Sequence, residues 1–217
     1  MAARRRQAIV IERKYPKQAR AFDTREVIFE AAARLLEERD LSALTTNAIA
    51  ARAGISIGTL YDHFPNKEAI LVSMARRQLE RDEEAVLEAI SREPTPGVSR
   101  ARQAVRTLIA LHLARPKVRR SIMSAHAAHG LGGEGTDVVR RATERILAWR
   151  AEADRPYMDE TAMFVATRAV VGLLRAAFEE SAPLLGTPQF EDELTAMAEG
   201  CFRRARAGER AGNVDQT

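Results

Sequence analysis

Hydroxyl, imidazole and ammonium groups are concentrated between residues 45 and 67 of the sequence. Thr45 and Ser56 each precede a short run with helical spacing, and Gly54 separates the two runs. Ser and Thr side chains cap helix starts, and glycine ends a helix by adopting a positive φ, so the stretch predicts two short helices around a tight turn. The chemistry on offer at these helix ends is hydrogen bonding and ionic contact with phosphate oxygens and base edges.

The second of these helices, residues 56 to 64, has one apolar and one short polar face. Its predicted buried stripe consists of Ile57, Leu60, Tyr61 and Phe64. On the polar face, Gly58 and Thr59 have little bulk, so a DNA backbone or base edge can come close. Two helices of this kind form a helix-turn-helix, whose second helix enters the major groove by its N-terminal end. A surface helical hairpin without a ligand is the alternative.

Residues 23 to 72 resemble the N-terminal domain of the TetR (tetracycline repressor) family. The resemblance rests on Ile49-Ala50, Ala53-Gly54-Ile55-Ser56, Gly58-Thr59-Leu60-Tyr61, His63-Phe64 and Asn66-Lys67-Glu68-Ala69. Together with the helix-end argument, it implies that the protein binds double-stranded operator DNA. The implied DNA-facing residues are Thr45, Thr46, Ser56, Gly58, Thr59, Tyr61, His63 and Lys67.

The sequence departs from the family pattern at two positions. Ala48 stands where an acidic residue is common, which removes a capping box with Thr45. Asp40 stands where glycine is common after the first helix, and we expect Asp40 to adopt the left-handed conformation at a small cost. Asp62 adds a charge that repels phosphate, so it either accepts from a cytosine amino group or points away from DNA.

The composition predicts an all-α fold, and the resemblance implies an N-terminal three-helix helix-turn-helix domain and a C-terminal helical ligand-binding and dimerisation domain. The 217 residues are rich in helix formers and lack alternating β-branched runs. The predicted helices besides the helix-turn-helix cover residues 23–39, 67–92, 98–114, 117–129, 136–153, 159–181 and 189–206. Asp23 and Glu26 are placed as a capping box for the first of them.

The patterns and the resemblance together divide the chain into four segments: a basic flexible arm (1–22), the DNA-binding domain (23–72), the ligand-binding and dimerisation domain (73–206) and a flexible tail (207–217). The arm contains seven basic residues and one acidic residue, a net charge of +6, whereas the whole chain has a net charge of +4. The arm either follows the phosphate backbone or is a solvated tail.

One cysteine, Cys201, excludes a disulfide within the chain and fits a reducing compartment. The sequence shows no run of 18 apolar residues, so we predict no membrane association and a cytoplasmic protein.

The C-terminal half predicts a homodimer, and the resemblance implies that this homodimer responds to a small-molecule inducer. The helix near residues 159–181 is almost apolar all round, and we infer that it and the last helix pair with their copies in a second subunit, as the resemblance also implies. The glycine-rich stretch 130–135 is predicted to be flexible, either a lid or a plain surface turn. Candidate ligand-lining residues are Leu108, His112, Met123, His126, Trp149, Met163, Phe164 and Phe178.

A ligand-released repressor is the function that we expect from this resemblance. One alternative is a metal-responsive regulator using His112, His126 and His129, although no cysteine cluster accompanies them. A second alternative is a non-specific architectural DNA-binding protein. No nucleophile or phosphate-loop motif indicates an enzyme, and no cofactor is predicted.

Overall fold

A computed structural model describes residues 19–152 and 159–212, and side chains within a slightly narrower part of each range. The described residues form nine α-helices and one 3₁₀ turn, Leu41–Ala43, and contain no strand. The helices are α1 (Ala19–Glu38), α2 (Thr46–Ala53), α3 (Ile57–His63), α4 (Lys67–Ser91), α5 (Arg100–Leu113), α6 (Pro116–Ala128), α7 (Gly132–Glu152), α8 (Glu160–Glu179) and α9 (Pro188–Gly212). The predicted all-α class is confirmed.

Several helices begin at a side-chain cap that can be read from the sequence. The Asn66 carboxamide oxygen accepts from the Ala69 amide at 2.8 Å, which fixes the start of α4. Ser99 accepts from the Arg102 amide at 3.1 Å at the start of α5, and Asp159 accepts from the Thr161 amide at 2.8 Å at the start of α8. Each cap satisfies an amide that the helix itself leaves unpaired, so these starts are set locally.

Contacts divide the chain into two compact units, and each unit combines two separate stretches of sequence. The first unit contains residues up to 78 together with 115–132, and the second contains 79–114 together with the residues from 133 onward. The boundary between the units falls within α4. Residues 117–129 were expected in the second domain, whereas the structure groups them with the N-terminal helices.

The core of the first unit is built from α1, α2, α3, α4 and α6. Ile28, Leu60 and Ile70 are fully buried in it, and Val118 and Ile122 of α6 belong to the same cluster. Amphipathic spacing alone predicts that α6 has an apolar face, but not which core that face joins.

Ionic contacts also join α6 to α1 in this unit. Arg115, at the N-cap of α6, donates from Nη1 to Glu30 Oε2 at 2.9 Å and from Nε to Glu37 Oε1 at 2.7 Å. Glu30 also accepts from Arg34 Nε at 2.9 Å. The two arginines hold the pKa of Glu30 down, from 4.5 to about 2, through hydrogen bonds and charge.

The second unit packs α5, α8 and α9 around one apolar cluster. Its buried members are Val105, Ile109, Ala166, Val170, Leu174, Leu194 and Ala198. At the edge of the cluster, Arg102 and Arg106 of α5 donate to Glu191 of α9 at 2.8 and 2.7 Å.

Helix α8 has more apolar side chains than the core of the chain buries. Among the described residues it is the one helix long and apolar enough to cross a membrane by length and composition, a property that the core helices of soluble proteins share. Only 39% of its most apolar window is buried. Phe164, Val165 and Leu173 are 55%, 48% and 47% exposed. An apolar surface is therefore left uncovered along this helix.

Helix ends differ from the sequence expectations in four places. Helix α1 begins at Ala19, so Asp23 lies inside the helix instead of capping it. Asp40 is extended, with φ −70° and ψ 156°, because the chain leaves α1 directly into the 3₁₀ turn and needs no left-handed residue there. Helix α7 begins at Gly132, which shortens the expected flexible stretch 130–135 to a turn. Helix α9 reaches Gly212, past the expected start of the tail at 207. Residues 1–18 of the basic arm and 213–217 of the tail lie outside the described residues.

Candidate nucleic-acid interface

The start of α2 places two threonine side chains side by side. Thr45 is exposed and extended, and its hydroxyl oxygen accepts from the Ala48 amide at 3.1 Å. The cap therefore forms although Ala48 cannot complete a capping box. Thr46, the first residue of the helix, is half-buried, and its hydroxyl points toward α3.

The start of α3 presents a pair of linked hydroxyls. Ser56 accepts from the Thr59 amide at 3.0 Å, and its Oγ lies 2.8 Å from Thr59 Oγ1. Ser56 is exposed and Thr59 is half-buried. Both hydroxyls lie at the positive end of the helix, so they and the neighbouring amides can bind a phosphate or a base edge.

One hydrogen bond joins the polar faces of the two helices. Thr46 Oγ1 lies 3.2 Å from the Tyr61 hydroxyl, and the Tyr61 side chain is 41% exposed. The phenol is thus held in one orientation while its oxygen stays open to a further partner.

Two glycines have different roles in this region. Gly54 ends α2 with φ +68°, a conformation that other residues adopt at a cost. Gly58 lies in the first turn of α3 without a positive φ, and a Cβ there would meet only Ser56 Oγ at 3.7 Å. Gly58 is therefore dispensable for the fold, and its small size leaves room for close approach from outside.

The expected buried stripe of α3 is only half correct. Leu60 and Phe64 are fully buried, whereas Ile57 is 38% and Tyr61 41% exposed. With seven residues, the helix is too short to bury four side chains on one core. Ile57 is a surface residue at the first position of α3, where a thymine methyl group is a suitable partner. Sequence reasoning assigned it to the core because its spacing matches the apolar stripe.

His63 lies at the other end of α3 and is half-buried beside the Phe64 ring, with ring centroids 6.5 Å apart. Burial lowers the pKa of His63, the nearby Arg25 guanidinium lowers it further, and the Asp62 carboxylate opposes both. The imidazole is therefore neutral at pH 7 and suits a hydrogen bond to a phosphate oxygen, not an ionic contact.

Lys67 has a structural partner that the sequence did not indicate. Its half-buried ammonium donates to the Leu44 carbonyl at 3.1 Å, which fastens the start of α4 to the turn before α2. An ammonium has three N–H donors, so this bond orients Lys67 and leaves two donors for another partner.

Arg52 is a cation whose charge is already paired within the fold. Its guanidinium donates to both Glu38 carboxylate oxygens, at 2.7 and 2.6 Å. This bidentate pair joins α2 to α1 and neutralises the charge of Arg52.

The eight predicted DNA-facing residues all lie on α2, α3, their caps and the first residue of α4. Thr45, Ser56, Gly58 and Tyr61 are exposed, and Thr46, Thr59, His63 and Lys67 are half-buried. DNA contact itself stays a prediction for each of them.

The predicted ligand-lining residues are divided between the two units. Leu108, His112, Trp149, Met163, Phe164 and Phe178 belong to the second unit, whereas Met123 and His126 belong to the first. Met123 packs against the core that contains Leu60 and Phe64. It therefore serves the N-terminal core, which periodicity could not show.

Within the second unit, His112 and Phe178 form a buried pair. Their rings meet edge to face with centroids 5.6 Å apart. His112 Nδ1 donates to the Leu108 carbonyl at 2.8 Å, since the carbonyl can only accept. Met163 is also buried, Trp149 is half-buried with the Arg100 guanidinium 5.5 Å from its ring, and Phe164 is on the surface.

The described residues contain no group of three His, Cys, Asp or Glu side chains placed to hold a metal ion. His112, His126 and His129 are all described, and they do not form such a group.

Two family models match the chain. The model described as bacterial regulatory proteins, tetR family, matches residues 28–74. The model described as tetracyclin repressor-like, C-terminal domain, matches residues 98–201. The matched ranges include α2 and α3 and the helices α5 to α8.

Individual proteins give the same result. The nucleoid occlusion factor SlmA of Vibrio vulnificus is 32% identical over 126 residues, which are 56% of this chain and 62% of that protein. The chain thus spans less than two thirds of the curated relatives that it matches. A TetR-family regulator from Streptomyces coelicolor is 25% identical, with a TM-score of 0.59 and coverage of 85% of this chain and 98% of that one. A SmeT–triclosan complex shares the fold at 22% identity and a TM-score of 0.53, with coverage of 81% and 91%.

Proposed function

The chain belongs to the TetR family of bacterial regulatory proteins, and from this premise we propose that it is a cytoplasmic, homodimeric repressor that a small molecule releases from a palindromic operator. The segment 23–72 binds DNA and the segment 73–206 supports ligand binding and dimerisation. The protein acts by binding and catalyses no reaction, as is general in this family.

The hydroxyl surface of α2 and α3 is the observation that supports operator binding. Ser56, Thr59 and Tyr61 each have a hydroxyl partner, since Ser56 and Thr59 lie 2.8 Å apart and Tyr61 lies 3.2 Å from Thr46 of α2. Groups held in fixed positions lose little freedom when they bind, so they favour a defined site over loose coating of DNA.

Dimerisation is supported by two uncovered apolar side chains of α8, Val165 and Leu173. Val165 and Leu173 are about half exposed, although α8 already packs on α5 and α9 within the chain. A second copy of the same surface, related by a two-fold axis, buries these side chains and places two copies of α3 on one duplex. Adjacent half-sites then lie about 34–36 Å apart along the DNA.

Release by a ligand follows from differential affinity. The dimer can bind the operator only when its two copies of α3 have the right spacing. A compound that binds better to dimers with another spacing shifts the population to those dimers and so lowers the affinity for DNA. The apolar side chains of the second unit favour a compound with apolar surface. SmeT, which shares the fold, forms a complex with triclosan.

Footprinting of the purified protein on the DNA upstream of its own gene, at fixed salt, tests the proposal. We expect a short protected palindrome that one class of compounds abolishes. The Thr59→Ala variant should lose the footprint, and Ser121→Ala, which removes a hydroxyl that donates only to the Lys117 carbonyl of α6, should keep it. Salt-sensitive protection without boundaries, equal in both variants, would contradict a sequence-specific operator.

The similarity to a nucleoid occlusion factor favours one other function, nucleoid occlusion, which is the role that this relative's name states. A genome-wide map of bound DNA distinguishes the two functions. One or a few sites near promoters support the repressor, whereas sites spread over the chromosome without nearby promoters support nucleoid occlusion.

A further inference from the structure

Arg168 of α8 reaches across to α7 and is held there by two threonine hydroxyls. Its Nη1 donates to Thr143 Oγ1 and to Thr167 Oγ1, both at 3.1 Å. Thr143 is buried and Arg168 is half-buried. Both helices belong to the second unit.

The two hydroxyls are oriented to accept from the guanidinium. Thr143 Oγ1 donates its proton to the Val139 carbonyl at 2.7 Å, and Thr167 Oγ1 donates to the Met163 carbonyl at 2.8 Å. Because each proton is directed along its own helix, the lone pairs of both oxygens face Arg168. The guanidinium is therefore fixed in place by bonds that use only one of its nitrogens.

Arg168 differs from the other arginines of α7 and α8 whose partners the structure describes. Arg140 pairs with Glu144, Arg145 with Glu83, and Arg175 with Glu179. Among the described residues, Arg168 has no carboxylate within ion-pair distance, and Nε and Nη2 make no hydrogen bond. A partly buried cation without a counter-charge is costly. An oxyanion that pairs with Arg168 therefore lowers the free energy more than the same ion pair would in water.

An aromatic ring lies directly against this cation. The Arg168 guanidinium is 4.2 Å from the centroid of Phe164, and that side chain is 55% exposed. Cation and ring together provide a charged fork beside an open apolar surface. A molecule that fits both has an anionic head and an apolar body.

We propose that Arg168 is the anion-recognising residue of the ligand site and that the ligand is an organic carboxylate with an apolar body. This inference rests on the proposed function, since it assigns the chemical class of the inducer. The carboxylate accepts from Nε and Nη2 in bidentate geometry, and the apolar body lies along the Phe164 ring.

Calorimetric titration of the full-length protein tests the assignment with matched pairs of probes. The pairs are decanoate with decanamide and biphenyl-4-carboxylate with biphenyl-4-carboxamide, which differ in charge but hardly in shape. We expect the wild type to bind at least one carboxylate roughly ten- to a hundred-fold more tightly than its amide, as charged hydrogen bonds allow. Arg168→Gln should remove this preference and leave amide binding unchanged.

Arg175→Gln is the matched control, because Arg175 lies two turns further along α8 and is paired with Glu179. It should keep the preference for the carboxylate. Arg168→Lys should keep part of it, since an ammonium has charge but no planar fork. Equal binding of acid and amide to the wild type, or no binding of any carboxylate, would overturn the proposal.

Two further measurements separate this inference from other failures. If Arg168→Gln converts a wild-type dimer to a monomer in sedimentation velocity, Arg168 serves subunit association and the ligand assignment is wrong. Operator footprinting of the wild type without any probe tests the proposed function alone. A defined footprint without carboxylate preference refutes only the ligand class.

Discussion

The hydroxyl groups of Thr46 and Tyr61 lie 3.2 Å apart and join the first turn of α2 to the exposed face of α3. Tyr61 can donate to one oxygen and accept from another, so the bond to Thr46 leaves it able to bind DNA. The contact couples the geometry of both helices to the position of one phenol oxygen.

Tyr61→Phe removes only this oxygen and should weaken operator binding about three- to tenfold, the value of one lost neutral hydrogen bond. The slope of log affinity against log salt should stay unchanged, because a neutral hydroxyl releases no counterion. Fluorescence anisotropy with labelled operator at several salt concentrations measures both quantities. Ser121→Ala is the control, and equal affinities for the two variants would remove Tyr61 from the interface.

Gly54→Ala and Gly58→Ala separate folding from DNA binding. Gly54 needs φ +68°, so alanine there should lower the free energy of unfolding by about 1–2 kcal/mol. Gly58 has ordinary φ and room for a Cβ, so alanine should leave stability unchanged or raise it by up to about 1 kcal/mol. Urea unfolding gives stability and anisotropy gives affinity. If Gly58→Ala keeps full affinity for the operator, close approach of DNA at this position is refuted.

The contacts of Glu30 with Arg115 and Arg34 should make stability depend on pH. The pKa of Glu30 falls from 4.5 to about 2 on folding, so its contribution is complete above pH 4.5 and is lost progressively as pH falls toward 2. Glu30→Gln should cost about 1 kcal/mol at pH 7, a value reduced for the partial exposure of these side chains.

The measurement is urea unfolding of wild type and Glu30→Gln between pH 7 and pH 3. Their difference should shrink steadily below pH 4.5. Glu179→Gln, which removes the exposed partner of Arg175 on α8, should differ from wild type by at most about 0.5 kcal/mol. If the difference in free energy of unfolding between wild type and Glu30→Gln stays constant down to pH 3, the ion pairs of Glu30 do not stabilise the fold.

Leu173→Glu should break the proposed dimer. A carboxylate on the uncovered surface of α8 would be buried without a partner on both sides of a two-fold axis, which costs several kcal/mol in total. Sedimentation velocity should show a monomer, and operator affinity should fall with it. Val27→Glu on α1 is the matched control, because Val27 is 45% exposed and Leu173 is 47% exposed. If Leu173→Glu and Val27→Glu both remain dimers, the interface lies elsewhere.

Local chemistry made much of the helix-turn-helix predictable. The caps at Thr45, Ser56 and Asn66 and the glycine at the end of α2 act within a few residues of the chain, so their outcome can be read from the sequence. The same is true of the all-α class. Ile57 was misplaced because helical spacing gives a face but not the length over which a core covers it.

The second half was less predictable because its determinants are distant in sequence. Periodicity predicted α6 as a helix but could not show that Val118 and Ile122 join the N-terminal core. The ion pairs of Arg115 with Glu30 and Glu37 span about 80 positions along the chain, and charge pattern alone offers many other partners. Phe164 was grouped with the ligand-lining residues, but the sequence could not show that its side chain lies on the surface beside Arg168.

The division of the first unit into two stretches has a consequence for synthesis. The ribosome delivers α1 to α3 and the beginning of α4 early, but Val118 and Ile122, which complete their core, emerge only after α5 has been made. Part of the apolar surface of the N-terminal helices therefore stays exposed while residues of the other unit are synthesised. A gene fragment that stops after residue 78 would encode every predicted DNA contact and still lack part of the core that holds them in place.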